Sequence, residues 1–239
     1  MRVIGLAWIA VSMACGQVIA QPLPVGNTRY LRPAGDGWTL ECEFEVRTKG
    51  AGWTIGSTTG RGKTQLIVQA AYDEENNLRS GEVVAKDGKP DRAVVIKRNQ
   101  NKVNVRRAGA ESQSFELPPG VIVTSAPDWT DVFLLCKRYR PEDGGKQTFA
   151  ALWVHPDQPT QFLKLSIERL GYDTIKHDGK DVKLARFMIE LRGKSRYAAW
   201  ATMDGTMVRL MPLPAKAKQR AGLMLAGYEK STAADLAPQ

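Results

Sequence analysis

Few residues in this chain have the types and spacing that catalysis or metal binding requires. Gly60-Arg61-Gly62-Lys63-Thr64 ends like a phosphate-binding loop, in which glycines and a lysine cradle a nucleotide's phosphates where a strand turns into a helix. That motif needs a glycine five positions before Gly62, and Ser57 stands there. The flanking residues also read as strands, so a glycine-rich hairpin is expected. The two histidines are His155, beside Pro156 at a strand end, and His177, in the turn-like run His177-Asp178-Gly179-Lys180. A zinc site gathers three or four ligands, and two isolated turn histidines do not supply them. A Ser-His-Asp constellation places no demand on sequence spacing, but the Gly-x-Ser-x-Gly elbow is missing. Glu168, Asp173, Asp178 and Glu190 are the carboxylates available for glycoside hydrolysis. They alternate with Lys and Arg in strand-like runs, as a solvated face does. The reading is a non-enzymatic chain with no catalytic residue, no metal and no cofactor.

The cysteines carry the next chemistry. Met1-Arg2 is followed by the apolar run Val3 to Val11, and Val18-Ile19-Ala20 precedes Gln21-Pro22. A basic start, a short apolar run and a small-residue end make a secretory signal peptide over 1–20. The run is shorter than the ~20 residues that span a bilayer. The mature chain is therefore expected outside the cytoplasm, periplasmic or secreted. Ser12-Met13-Ala14-Cys15 offers a minor alternative, lipoprotein anchoring at Cys15, with Ser12 where leucine is usual. Cys42 and Cys136 remain after cleavage. An oxidising compartment permits a disulfide between them. Two buried, unpaired thiols are the other reading, and spacing leaves both open. Neither lies in a Cys-x-x-Cys pair.

The whole chain has 239 residues and carries +9; the leader holds one Arg and no acid, so the remainder carries +8. Lys97-Arg98, Lys102 and Arg106-Arg107 are the densest basic group. Such a balance attracts nucleic acid or anionic surfaces. No helix-borne basic stripe or nucleic-acid motif accompanies it, so nucleic acid is not expected and an anionic envelope surface stays a candidate partner.

The elements that must position these groups follow period two. Leu40, Cys42, Phe44 and Val46 alternate with Glu41, Glu43, Glu45 and Arg47, the pattern of a half-buried antiparallel strand. Further strands are expected over 65–72, 82–86, 92–98, 102–106, 149–154, 162–169, 182–192, 196–203, 207–213 and 223–228. Asp87-Gly88-Lys89-Pro90 and Asp204-Gly205 mark turns. One segment departs from this period. Ser125-Ala126-Pro127-Asp128 resembles a capped helix start, and Trp129, Val132, Phe133 and Cys136 follow at i, i+3, i+4 and i+7. A helix is expected near 126–139, ending before Pro141. The expectation is a mainly β fold: a single large curved antiparallel sheet over 21–230, half-barrel-like, covered by one amphipathic helix, with a flexible tail over 231–239.

Two stretches, Ile167-Glu168-Arg169-Leu170-Gly171 and Trp200 to Leu210 with its Asp204-Gly205 turn, together with the helix Trp129 to Tyr139, resemble uncharacterised exported bacterial β domains and the periplasmic lipoprotein-carrier and lipoprotein-binding half-barrels. That resemblance implies an apolar cavity between sheet and helix. It carries over no catalytic residue. The candidates to line the cavity are Trp129, Val132, Phe133, Trp153, Leu165, Ile167 and Trp200. The competing reading gives these side chains to the core. The functional expectation is an exported, non-catalytic binding protein of the cell envelope, holding an apolar or lipid-like ligand. The alternative is a structural or interaction protein acting through a basic outer surface.

Overall fold

A computed structural model describes residues 24–61, 64–86, 92–125, 129–191, 195–213 and 222–236. The leader, Cys15 and the Asp87–Pro90 turn lie outside them. The chain is mainly β. In order it forms β1 (Gly26–Ala34), β2 (Gly37–Lys49), β3 (Gly52–Arg61), β4 (Thr64–Tyr72), β5 (Leu78–Lys86), β6 (Arg92–Asn99), β7 (Lys102–Arg107), β8 (Gln113–Glu116) and β9 (Ile122–Ser125). The α-helix α1 (Thr130–Arg138) follows. Then come β10 (Lys146–His155), β11 (Gln158–His177), β12 (Lys180–Leu191), β13 (Ser195–Ala201), β14 (Met207–Leu213) and β15 (Leu223–Leu225).

All fifteen strands join one sheet, in the order β8-β7-β6-β5-β4-β3-β2-β1-β15-β14-β13-β12-β11-β10-β9. Nearly every neighbour is next in sequence and antiparallel, because short turns let each strand fold back on the last. Two pairs depart from this: β9 pairs parallel to β10, with α1 as the crossover between them, and β1 pairs antiparallel with β15, the last strand. The β11–β12 turn shows how the sequence makes such a hairpin. Asp178 and Gly179 both take positive φ, 47° and 75°, as a two-residue turn between right-twisted strands requires.

The sheet curls around α1. Tyr30 and Phe44 of one half pack on Phe133, with centroids 4.9 and 5.1 Å from its ring. Every residue from Thr130 to Cys136 is buried. The helix is therefore an internal plug and not a lid with a wet face. It begins at Thr130, with Trp129 as N-cap and no side-chain cap. Ser125, expected as the cap, closes β9 instead, and 126–128 lie outside the described residues. Between α1 and the sheet, beside Ile122, Thr124, Leu134, Leu135 and Leu165, there is no room for a water molecule.

The two ends of the sheet meet without a shared ladder. β9 lies against β5, and Arg107 of β7 donates to the carbonyls of His155 (3.2 Å) and Gln158 (2.7 Å) and to Thr160 Oγ1 (2.9 Å). Arg92 of β6 pairs with Asp157 at 2.6 Å. This overlap explains why both faces of β10 are buried from Ala151 to Val154.

Two expectations are corrected. Leu40 is exposed (42 %) rather than inward: Tyr30 pairs with Cys42 but Leu31 with Leu40, so Glu41 is an extra residue, a β-bulge that shifts the alternation. The tail over 231–239 is not loose where it is described. Thr232–Asp235 forms a 3-10 helix capped by Ser231, and Ala233 is fully buried beside Ile175, Leu184, Trp200, Val208 and Met224. Arg209 donates to the Ala233 carbonyl, fixing the segment on the outer face of β11–β15. Residues 237–239 lie outside the described residues.

Candidate binding site

The cleft with an apolar floor opens where α1 starts. Its volume is about 200 Å³, and its walls are Trp129, Tyr197, Leu210, Pro212, Gly222 and Leu223, with Arg32 and Glu41 at the rim. Each wall has a local cause. Tyr197 on β13 and Leu210 on β14 point inward by alternation. The Trp129 ring meets Tyr197 edge-on, at 6.0 Å and 88°. Gly222 lets β15 approach β14 closely: a Cβ there would sit 2.0 Å from the Leu210 carbonyl oxygen.

The rim depends on the bulge. Regular alternation puts Leu40 inside and Glu41 outside. The extra residue reverses this, and Arg32 Nε meets Glu41 Oε2 at 2.9 Å. Exposing much of a leucine forgoes on the order of 1 kcal/mol of burial, so the local sequence gives up stability to bring a carboxylate to this cleft. The Trp129 indole N–H is buried away from the cleft's open space, with no acceptor among the described residues. A buried, unused donor is costly.

The seven expected lining residues do not share one cavity. Val132, Phe133, Leu165 and Ile167 belong to the core around α1. Trp129 lines the cleft. Trp153 is buried on β10, its ring 5.3 Å from that of His155. Trp200 lies on the opposite face of the sheet under the C-terminal segment, donating to Asp173 Oδ2 at 2.7 Å. The residues that sequence reasoning missed are Arg32, Glu41, Tyr197, Leu210, Pro212, Gly222 and Leu223. A bulge leaves no mark in a pattern read one strand at a time, so nothing pointed to Glu41.

Cys42 and Cys136 are both buried, and no disulfide joins them. Burial pushes the Cys136 thiol up to about 12. Burial, followed by the nearby Cys42 and Cys136, raises Tyr30 well above the usual phenol value, while its hydroxyl donates to the Met207 carbonyl at 2.9 Å.

The other chemistry-bearing groups serve the fold. His155 Nδ1 accepts from the Asp157 amide at 3.0 Å, and the His177 ring stacks on Tyr228 at 3.9 Å. Glu190 is engaged by Lys146, by the Ser166 hydroxyl (3.1 Å) and by Arg196 (3.3 Å). Arg107, from the densest basic group, clasps the sheet ends. Among the described residues no three His, Cys, Asp or Glu side chains group as metal ligands, and no helix is long and apolar enough to cross a membrane.

No protein-family model matches the chain, and no curated protein does. Two solved structures are similar in fold. A DUF1089 family protein from Pseudomonas aeruginosa is 14% identical, covering 70% of this chain and 88% of its own, with a TM-score of 0.47. A β-barrel-like protein of the domain of unknown function DUF1849 from Brucella abortus is 9% identical, covering 83% of this chain and 92% of its own, with a TM-score of 0.50. The second likeness bears on fold alone and agrees with a sheet curled towards a barrel.

Proposed function

We propose that this chain is an exported, non-catalytic binding protein of the cell envelope that holds a small amphipathic ligand in the Trp129 cleft. The carrying observation is the Glu41 bulge, which sets an Arg32–Glu41 pair at the rim of an otherwise apolar space. A ligand's apolar part fits against Leu210, Pro212 and Leu223. Its polar group meets Arg32. Because α1 fills the interior, a long chain has no room alongside the helix. The cleft is also smaller than the ~300–1,000 Å³ of drug-sized sites, which favours a short-chain compound.

The test is titration of delipidated protein with a dansyl-labelled eight-carbon acid. Saturable one-to-one uptake is expected, weakened at least tenfold in both Arg32→Gln and Trp129→Ala. No uptake at high micromolar probe, or uptake indifferent to both changes, overturns the reading.

A further inference from the structure

We propose that the free face of the β11–β12 arm seats on an anionic lipid bilayer surface. The pairing of β10 with β11 begins at Lys146 and Glu168, and that of β12 with β13 at Ala185 and Ala201. The hairpin beyond those points has no ladder on either side. One face of this arm is covered: Ile175 and Leu184 lie in the cluster with Ala233, and the Lys176 amide donates to Thr232 Oγ1 at 2.8 Å. On the other face Tyr172, Thr174 and Lys183 are exposed, and Lys176 pairs there with Asp181 at 2.7 Å.

That face sets the Tyr172 ring between two cations. The Arg169 guanidinium lies 5.5 Å from the Tyr139 ring centroid and 5.2 Å from that of Tyr172, and Lys183 Nζ lies 4.2 Å from Tyr172. Among the described residues neither Arg169 nor Lys183 has a carboxylate within ion-pair distance. On the outer face of β1–β2, by contrast, Arg29 pairs with Glu43 and Arg47 with Glu45. Apolar tips flank the ladder. Arg169 pairs with Phe187 and Gly171 with Arg186, so Leu170 is bulged out to solvent. Met203, in the turn that joins β13 to β14, is 64% exposed. Val25, also exposed, stands at the same end, where the chain enters the barrel.

Tyrosine with snorkelling cations and aliphatic tips suits the headgroup boundary, where rings sit at the interface and charged heads meet phosphate. An acidic protein segment satisfies the cations but leaves Leu170 and Met203 in water, whereas a bilayer takes both. Each unpaired cation near such a surface strengthens binding about fivefold.

The experiment sediments the purified chain with vesicles of phosphatidylglycerol and phosphatidylcholine, with pure phosphatidylcholine as reference and near-UV circular dichroism confirming each variant's fold. Salt-sensitive binding to the anionic vesicles is expected. Arg169→Gln with Lys183→Gln should weaken it about thirtyfold, while Arg29→Gln with Arg47→Gln, the same change in net charge, should weaken it less than threefold. Leu170→Gln with Met203→Gln keeps every charge and should still lose binding several-fold. The proposal falls if the wild-type chain ignores anionic vesicles. It falls equally if both charge pairs lose binding alike, or if removing the apolar tips changes nothing, which would favour an acidic protein partner. The cleft is untouched by all these changes, so its ligand titration stands or fails separately.

Discussion

Phe133 is the side chain that ties helix to sheet. It stacks on Tyr30 and meets Phe44 edge-on, and it is fully buried. Phe133→Ala removes both ring contacts and leaves a void that a closed sheet cannot collapse to fill. A loss of about 3–5 kcal/mol is expected, read as a shift in the urea midpoint. The thiol three residues on gives a pH prediction. Cys136 is raised to about 12 from an ordinary 9.0, so the unfolded chain releases this proton first. Its contribution is fully present below pH 9 and is lost as pH climbs from about 9 towards 12. Tyr30, shifted in the same direction by burial, steepens the loss at the alkaline end. Cys136→Ser should flatten the decline between pH 9 and 11 in urea titrations, and an equally steep decline in that variant would assign it elsewhere. At pH 8 neither Cys42 nor Cys136 should react with a thiol reagent until the chain unfolds, since both are buried.

At the scale of elements, close approach matters more than residue class. Gly222 immediately precedes β15 and Gly37 opens β2, yet a Cβ at Gly222 meets the Leu210 carbonyl at 2.0 Å, while at Gly37 the nearest atom is 4.0 Å away. Gly222→Ala should cost about 1–3 kcal/mol by forcing β15 from β14. Gly37→Ala should fall within about 0.5 kcal/mol of wild type, as expected of a surface change away from strain. Thermal denaturation of the two variants side by side checks the contrast. This difference also marks how far the sequence could be read. Period-two runs located most strands, and Asp204-Gly205 located a hairpin, because alternation and turn chemistry are local. The helix was legible from Trp129, Val132, Phe133 and Cys136. Its burial on every side was not, because polar Thr130 and Asp131 are enclosed along with the apolar face. The bulges at Glu41 and Leu170 depend on how two strands pair, so the cleft rim and the exposed leucine stayed invisible. Trp200 looked like a cavity residue because nothing in its own strand says which face the C-terminal segment covers.

For the whole molecule the open question is what closes a fifteen-stranded sheet whose ends share no ladder. Antiparallel neighbours fix each strand to the next, but curling the sheet brings β5–β7 against β9–β11 only through side chains. Arg107 supplies three acceptor contacts at 2.7–3.2 Å, and Arg92–Asp157 adds one ion pair with about a third of each side chain exposed. A charged donor to a half-buried carbonyl such as that of His155 contributes about 1.5–3 kcal/mol, and less at the exposed Gln158 carbonyl, whereas a partly exposed pair contributes about 1 kcal/mol or less. The seam should therefore rest mainly on Arg107. Arg107→Met keeps the stem and removes the donors. It should lower stability by about 2 kcal/mol and speed amide exchange around His155–Thr160, while β13–β14, on the far side of the barrel, exchanges as before. Arg92→Met should produce a smaller version of the same pattern. If Arg107→Met raised exchange uniformly, the closure would belong to global stability. If it raised none, the apolar overlap of β9 on β5 would hold the ends together without the clasp.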